Sequence, residues 1–409
     1  MFTRGEFGKV KGHLRLQNAD LKFRVIHPYG NSILKKENLY RTSLIVLTLL
    51  QIGLSALYLN SLSRIENWSA VFAEDSRGYL LVADYFQGRE TPAEELPLLR
   101  YRLFSPLVPF VASLLGTLTG IPAAFLIINI LLWLITALLF YEFLKTVLED
   151  AFFAFAGAAI FTTSLPMLEW ALPVMVDMGS YFFACLIPLL YLRLFHSGPL
   201  PSPRDRVLQG RNIMGEVCLG LCLALAILAK PMLLILLLFV LSASLYEKRY
   251  ASIPVTCVLP LALVIVIYRL FSLSFTDFSA FGGPRHRGPV YLFTAALFCY
   301  HWGWLFLRKG WKSAPAYRHL YSIYILSFAG PYLVFVHNPR LFFLSCPVII
   351  ALIVQGFRET CRERPHPARA SAALLGAYIL TSNVLAVFHL YIMRCLKIRD
   401  WEGLIRFFQ

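Results

Sequence analysis

Charge is scarce in this 409-residue chain: only 15% of its residues are Asp, Glu, Lys or Arg, against 58% hydrophobic and 15% aromatic. So little charge cannot solvate the two or three water-soluble domains that the length alone would suggest, and a soluble enzyme is excluded. The phosphate-cradling run G-x-x-x-x-G-K-[ST] is missing, and no loop is large enough for a nucleotide-binding domain, which argues against ATP hydrolysis by this chain. The eight cysteines contain no CxxC pair and mostly fall inside apolar runs, so neither a disulfide framework nor a zinc site is expected. The nine histidines have no metal spacing, no internal repeat is visible, and no signal-peptide core precedes the first long apolar run. In their place stand apolar runs of about twenty residues, the length that crosses a hydrocarbon core about 30 Å thick. The expected fold class is an all-α, multi-pass integral membrane protein.

Spanning helices are expected at about 43–62, 121–142, 151–168, 177–195, 214–229, 231–246, 251–272, 289–307, 319–336, 341–357 and 370–393, about 11 transmembrane helices in all. The stretch Phe104 to Leu118 is shorter and contains Pro106, Pro109 and Gly116. Charge counting decides its role. If it does not cross, fifteen Lys and Arg fall in the cytosolic connectors that follow and four (Lys230, Arg285, Arg287, Arg340) in the opposite ones. Were it to cross, that excess would lie outside, against the positive-inside rule. It is therefore read as a juxtamembrane helix on the outer surface. The formal charge of +15 has the same topological origin, and no nucleic-acid partner is expected. Residues 213–246 would overshoot the bilayer as one helix and are read as a hairpin turning at Lys230-Pro231. The resulting organisation is a basic cytosolic tail over 1–42, a membrane module over 43–357 with outer loop 64–120, and a segment 358–409 with cytosolic linker, last transmembrane helix and short tail.

Unusual polar residues gather on the expected outer side. Asp75 is followed by Tyr79, Val82 and Phe86 on one face of a helix in the largest loop. The plain alternative for Asp75 is a helix cap. Asp177 closes an outer turn that begins at Leu168-Glu169-Trp170, and it too suits a helix N-terminus. Lys230, Arg285-His286-Arg287 and Arg340 reach the same side. Carboxylates and cations on one bilayer face suit an anionic lipid headgroup, with a base for an incoming nucleophile and donors for a phosphate leaving group.

The order of these features resembles the GT-C class of integral-membrane glycosyltransferases, which use polyprenyl-phosphate-linked sugars and include protein mannosyltransferases, aminoarabinose transferases and oligosaccharyltransferases. The resemblance rests on Asp75-Ser76-Arg77-Gly78-Tyr79, on the tract Arg100 to Pro109, on Tyr141, Asp177 and Ala229-Lys230-Pro231, and on Asn338-Pro339-Arg340. It covers about residues 43–357. It implies Asp75 as catalytic base or acceptor-coordinating acid, with Glu74 beside it, Asp177 as the second acid, and Lys230 and Arg340 as phosphate contacts. Tyr79, Arg102, Arg285, His286, Arg287 and His337 complete the expected substrate-binding set. His337-Asn338 stands where relatives often carry an acid. A divalent cation, Mg or Mn, between Asp75 and Asp177 is compatible with such a site, although nothing in the sequence requires one.

The implied reaction moves a sugar from a polyprenyl-phosphate carrier to an acceptor hydroxyl on a glycan, lipid or protein, on the extracytoplasmic side. A non-catalytic subunit of an envelope-assembly complex is one alternative. A lipid or secondary transporter is the other, but its ionisable residues should lie near the bilayer midplane rather than at helix ends. The expected location is a bacterial inner membrane with a cytosolic N-terminus, since the tail is basic.

Overall fold

Inside lipid every backbone N–H and C=O must be satisfied within the protein, so apolar runs of this kind become helices. The computed structural model describes residues 29–61, 65–67, 70–71, 75–196, 212–274, 276–277, 296–335, 339–362 and 364–398. The chain divides into two units, Met1–Thr42 and Ser43–Gln409. Of the first, only the opening turns of helix α1 (Tyr29–Ser61) are described. The architecture below is that of the second.

After α1 a short antiparallel ladder, β1 (Ile65–Asn67) with β2 (Ala70–Val71), is the only sheet among the described residues. Three helices then occupy the large loop: α2 (Ser76–Phe86), α3 (Leu96–Arg102) and α4 (Leu107–Thr119). The amphipathic pattern of α2 is realised, with Tyr79 and Val82 buried and Phe86 packed against the cluster of Val82, Leu99, Leu103, Phe104 and Leu273. The chain bends by 116° between the 93–102 segment and α4. At that elbow the Tyr268 hydroxyl donates to the Phe104 carbonyl at 2.9 Å, and the two rings meet edge to face.

Helix α5 (Ile121–Leu148) and α6 (Ala151–Thr162) form a hairpin joined by two residues. Glu149 takes a left-handed conformation, and the Asp150 carboxylate caps α6 by accepting from the Phe152 and Phe153 amides. The single span expected over 151–168 is broken here. Thr163 and Ser164 turn their hydroxyls back onto the Ala159 and Phe161 carbonyls, and Pro166 has no amide to continue the ladder. A short α7 (Leu165–Trp170) and a buried irregular turn, 171–176, lead into α8 (Asp177–Phe195). At nineteen residues α8 is about 28 Å long, close to the thickness of a hydrocarbon core.

Next come α9 (Ile213–Ala229) and α10 (Leu234–Tyr246), separated by extended Lys230 and a tight turn at Pro231–Leu233. Ser252, just past α10, donates to Glu216 in the first turn of α9 at 2.8 Å, so the two arms run antiparallel as a hairpin. Helix α11 (Leu259–Leu270) follows a π-helical turn at Pro254–Val258. Later described helices include α12 (Leu307–Ser313), α13 (Arg318–Phe335), α14 (Cys346–Cys361) and α15 (Pro367–Ile398). Gly310 of α12 sits against the Leu352 carbonyl of α14, in space that any Cβ would fill.

By length and composition, five described helices can cross a membrane: Lys36–Asn60, Ile121–Leu148, Asp177–Phe195, Tyr250–Leu270 and Phe343–Cys361. Six can if the bent pair Ala93–Arg102 and Leu107–Thr119 is one span. Ala151–Thr162, Ile213–Ala229 and Pro231–Tyr246 are apolar but shorter. Of the eleven expected spans, 151–168 is broken after Thr162 and 370–393 lies within the continuous helix α15, while 289–307 falls partly outside the described residues.

Candidate active site

Asp75 stands at the N-cap position of α2, yet its side chain makes no capping hydrogen bond. Its Oδ1 instead accepts from Arg102 Nη2 at 2.6 Å, across the α2–α3 junction. Arg102 Nη1 donates to the Tyr79 hydroxyl at 3.1 Å, and its guanidinium lies 4.8 Å from the centre of the Tyr79 ring and 4.9 Å from that of Tyr101. Burial works against the charge of Arg102, but Tyr79, Asp75 and Tyr101 outweigh it and hold its pKa above the ordinary value. The guanidinium crosses α2 directly over Gly78. A Cβ on that residue would lie 2.7 Å from Arg102 Cγ, so glycine is needed for the pair to form. The Asp75 side chain remains 25% exposed.

The second acid is buried. Asp177 opens α8, is 1% exposed and forms an ion pair with Lys230 from the α9–α10 turn. The turn that delivers it is gripped from inside by Asn129, eight residues into α5, whose Nδ2 donates to the Pro173 carbonyl at 2.7 Å and also approaches the Leu172 and Met175 carbonyls. A non-helical segment within a membrane protein has to be satisfied in this way. The two acids are linked by packing. Tyr79 and Val176 belong to one buried cluster with Val108, and Gly179 faces Val108. The starts of α2, α4 and α8 thus share one core.

The other expected residues distribute as follows. Glu74, Arg285, His286, Arg287 and His337 lie outside the described residues, and Arg340 is described only as backbone in the helical turn Pro339–Phe342. Tyr79 and Arg102 come together with Asp75, and Lys230 with Asp177. Among the described residues no three His, Cys, Asp or Glu side chains converge as a metal site, and each acid already faces a cation. Sequence reading passes over Asn129 and also Glu169, 3.5 Å from His389 of α15. A lone Asn in an apolar run and an acid eight residues before Asp177 were the available signals.

A second polar cluster lies at the opposite end of α8. Glu247, just beyond α10, is 4% exposed and takes His196 Nε2 at 2.9 Å, Arg249 Nε at 2.7 Å and the Tyr191 hydroxyl at 3.1 Å, with His319 Nε2 at 3.5 Å. Burial pushes its pKa up, but His196 and Arg249 prevail and bring it down from 4.5 to about 2.

No family model matches the chain, and no curated protein matches it. Solved structures do. An archaeal oligosaccharyltransferase from Archaeoglobus fulgidus, in complex with an inhibitory peptide and a dolichol-phosphate, superposes with a TM-score of 0.57 at 13% identity, covering 88% of this chain and 56% of that one. The Archaeoglobus fulgidus oligosaccharyltransferase in the apo form gives 0.54 at 13% identity over 87% and 55%. The same enzyme tethered to an acceptor peptide containing the NVT sequon gives 0.52 at 13% identity over 85% and 54%. The chain spans about half the length of the solved structures it matches. At such identity the likeness speaks to fold alone: this chain shares the fold of the matched half of these oligosaccharyltransferases.

Proposed function

We propose that this chain is an integral-membrane glycosyltransferase that moves a sugar from a polyprenyl-phosphate carrier to an acceptor hydroxyl of a glycan, lipid or protein on the extracytoplasmic side. The observation that carries this reading is Asp75. A carboxylate placed to cap a helix is turned onto Arg102 instead, at a partly exposed position of a GT-C fold. The dolichol-phosphate and acceptor peptides named for the similar structures agree with a lipid-linked donor and a nucleophilic acceptor.

In the reaction the acceptor oxygen forms a bond to the anomeric carbon while its proton passes to Asp75. The bond from that carbon to the phosphate oxygen breaks, and its electron pair leaves with the polyprenyl phosphate. Arg102 orients the base, with Tyr79 and Tyr101 holding the guanidinium. Lys230 and Arg340 supply positive charge for the departing phosphate, and Asp177 positions Lys230. No step is routed through a metal ion.

The test is consumption of a panel of radiolabelled polyprenyl-phosphate sugars by the reconstituted full chain. At least one donor is expected to be consumed. If every donor survives intact, the reading fails, and the non-catalytic subunit or transporter takes its place.

A further inference from the structure

Trp304, Leu307, Arg308 and Trp311 follow the i, i+3, i+4, i+7 spacing of one helical stripe. All four line a single groove of about 450 Å³, closed on its other sides by Phe328 of α13 and by Ile349 and Leu352 of α14. That volume lies in the range of about 300–1,000 Å³ usual for ligand sites. The close approach of Gly310 to the Leu352 carbonyl fixes α12 against α14, and the groove lies between this pair and α13. Its wall is apolar apart from Arg308 and Ser345, and the Ser345 hydroxyl is already engaged by Tyr300 and the Phe342 carbonyl.

Among the described residues, Arg308 is the one charged residue that lines the groove. Arg308, Lys309, Lys312 and Arg318 are all exposed, and no Asp or Glu occurs in the sequence between Asp277 and Glu359. A zwitterionic lipid brings its own cation, which these Lys and Arg side chains repel, whereas an anionic one joins its tail to the groove and its phosphate to Arg308 without that opposition. Two tryptophans on the stripe suit the boundary between chain and headgroup. From this geometry we infer a site for one anionic glycerophospholipid, an acyl chain in the groove and its phosphate on Arg308. The inference does not rest on the sugar-transfer reading.

Delipidated full-length protein is titrated with phosphatidylglycerol and phosphatidylcholine of identical acyl chains, and bound lipid is counted by native mass spectrometry. One phosphatidylglycerol is expected to be retained roughly tenfold more tightly than phosphatidylcholine, the scale of one charge-assisted contact. Arg308→Gln should erase that preference and Arg308→Lys should keep most of it. Equal retention of the two lipids, or a preference untouched by Arg308→Gln, overturns the inference. So does a long-chain polyprenyl phosphate that displaces phosphatidylglycerol from the wild-type protein at equal concentration, a competition that needs no variant to fold. None of these readouts depends on turnover, so failure here leaves the glycosyltransferase proposal standing, and the reverse holds.

Discussion

Helices α8 and α10 carry polar groups at both ends, and the two ends are built differently. At the end of α8 that begins with Asp177, two carboxylates sit on separate elements, Asp75 paired with Arg102 and Asp177 with Lys230. At the end that leads to His196, one carboxylate, Glu247, is shared by Tyr191, His196, Arg249 and His319 from three segments of the chain. A carboxylate saturated by donors and almost closed to solvent works as a clamp, because its ionised form is held and a proton finds no place on it. Asp75, a quarter exposed, stays open to solvent, as the proposed base must be. Under the proposed function the first end carries the chemistry, while the second holds segments of the chain together.

Changes at six positions break or sharpen that contrast. Asp75→Asn removes a base while keeping the shape, and sugar transfer should fall by about 10²–10⁴-fold in a donor-consumption assay. Lys230→Met takes the cation from a buried acid, and chemical unfolding in detergent should show a loss of about 3–5 kcal/mol. Lys230→Met with Asp177→Asn together should recover much of it, which separates the charge effect from lost packing. Glu247→Ala strips several donors of a shared acceptor and should cost about 1.5–3 kcal/mol, with activity per folded molecule retained. The same residue predicts an acid limb. Since folding lowers its pKa from 4.5 to about 2, its contribution is complete above pH 4.5 and disappears as pH falls toward 2. Thermal unfolding followed over that window should flatten in the Glu247→Gln protein.

Asn129→Leu should cost about 1–3 kcal/mol, because carbonyls of the buried 171–176 turn lose their donor. It should also slow transfer by misplacing Asp177. Gly78→Ala has the smallest expected effect on stability, about 1 kcal/mol of overpacking against Arg102. Its activity loss should exceed what that figure implies, since the guanidinium is pushed off Asp75.

How far the sequence reveals this depends on the range of each interaction. The start and buried face of α2, the hairpin turn at Lys230-Pro231 and the helix beginning at Asp177 are local features, and residue spacing or a proline exposes them. The Asp75–Arg102 pair joins residues 27 positions apart across a bend, so periodicity can suggest a cap for Asp75 but not the partner that competes for it. Asn129 reads as one polar residue in an apolar run until the turn it grips, more than forty positions later, is folded beside it. The break after Thr162 is hidden for a different reason. The run 151–168 stays apolar throughout, and only the hydroxyls of Thr163 and Ser164 with Pro166 end the helix.

The most direct test compares the two ends in one experiment. Release of radiolabelled sugar from a polyprenyl-phosphate donor and the unfolding midpoint are measured side by side for wild type, Asp75→Asn and Glu247→Ala in the same lipid. The account predicts that Asp75→Asn loses transfer and keeps its midpoint, while Glu247→Ala keeps transfer per folded molecule and loses its midpoint. Full transfer by Asp75→Asn, or loss of transfer in a folded Glu247→Ala protein, would contradict it.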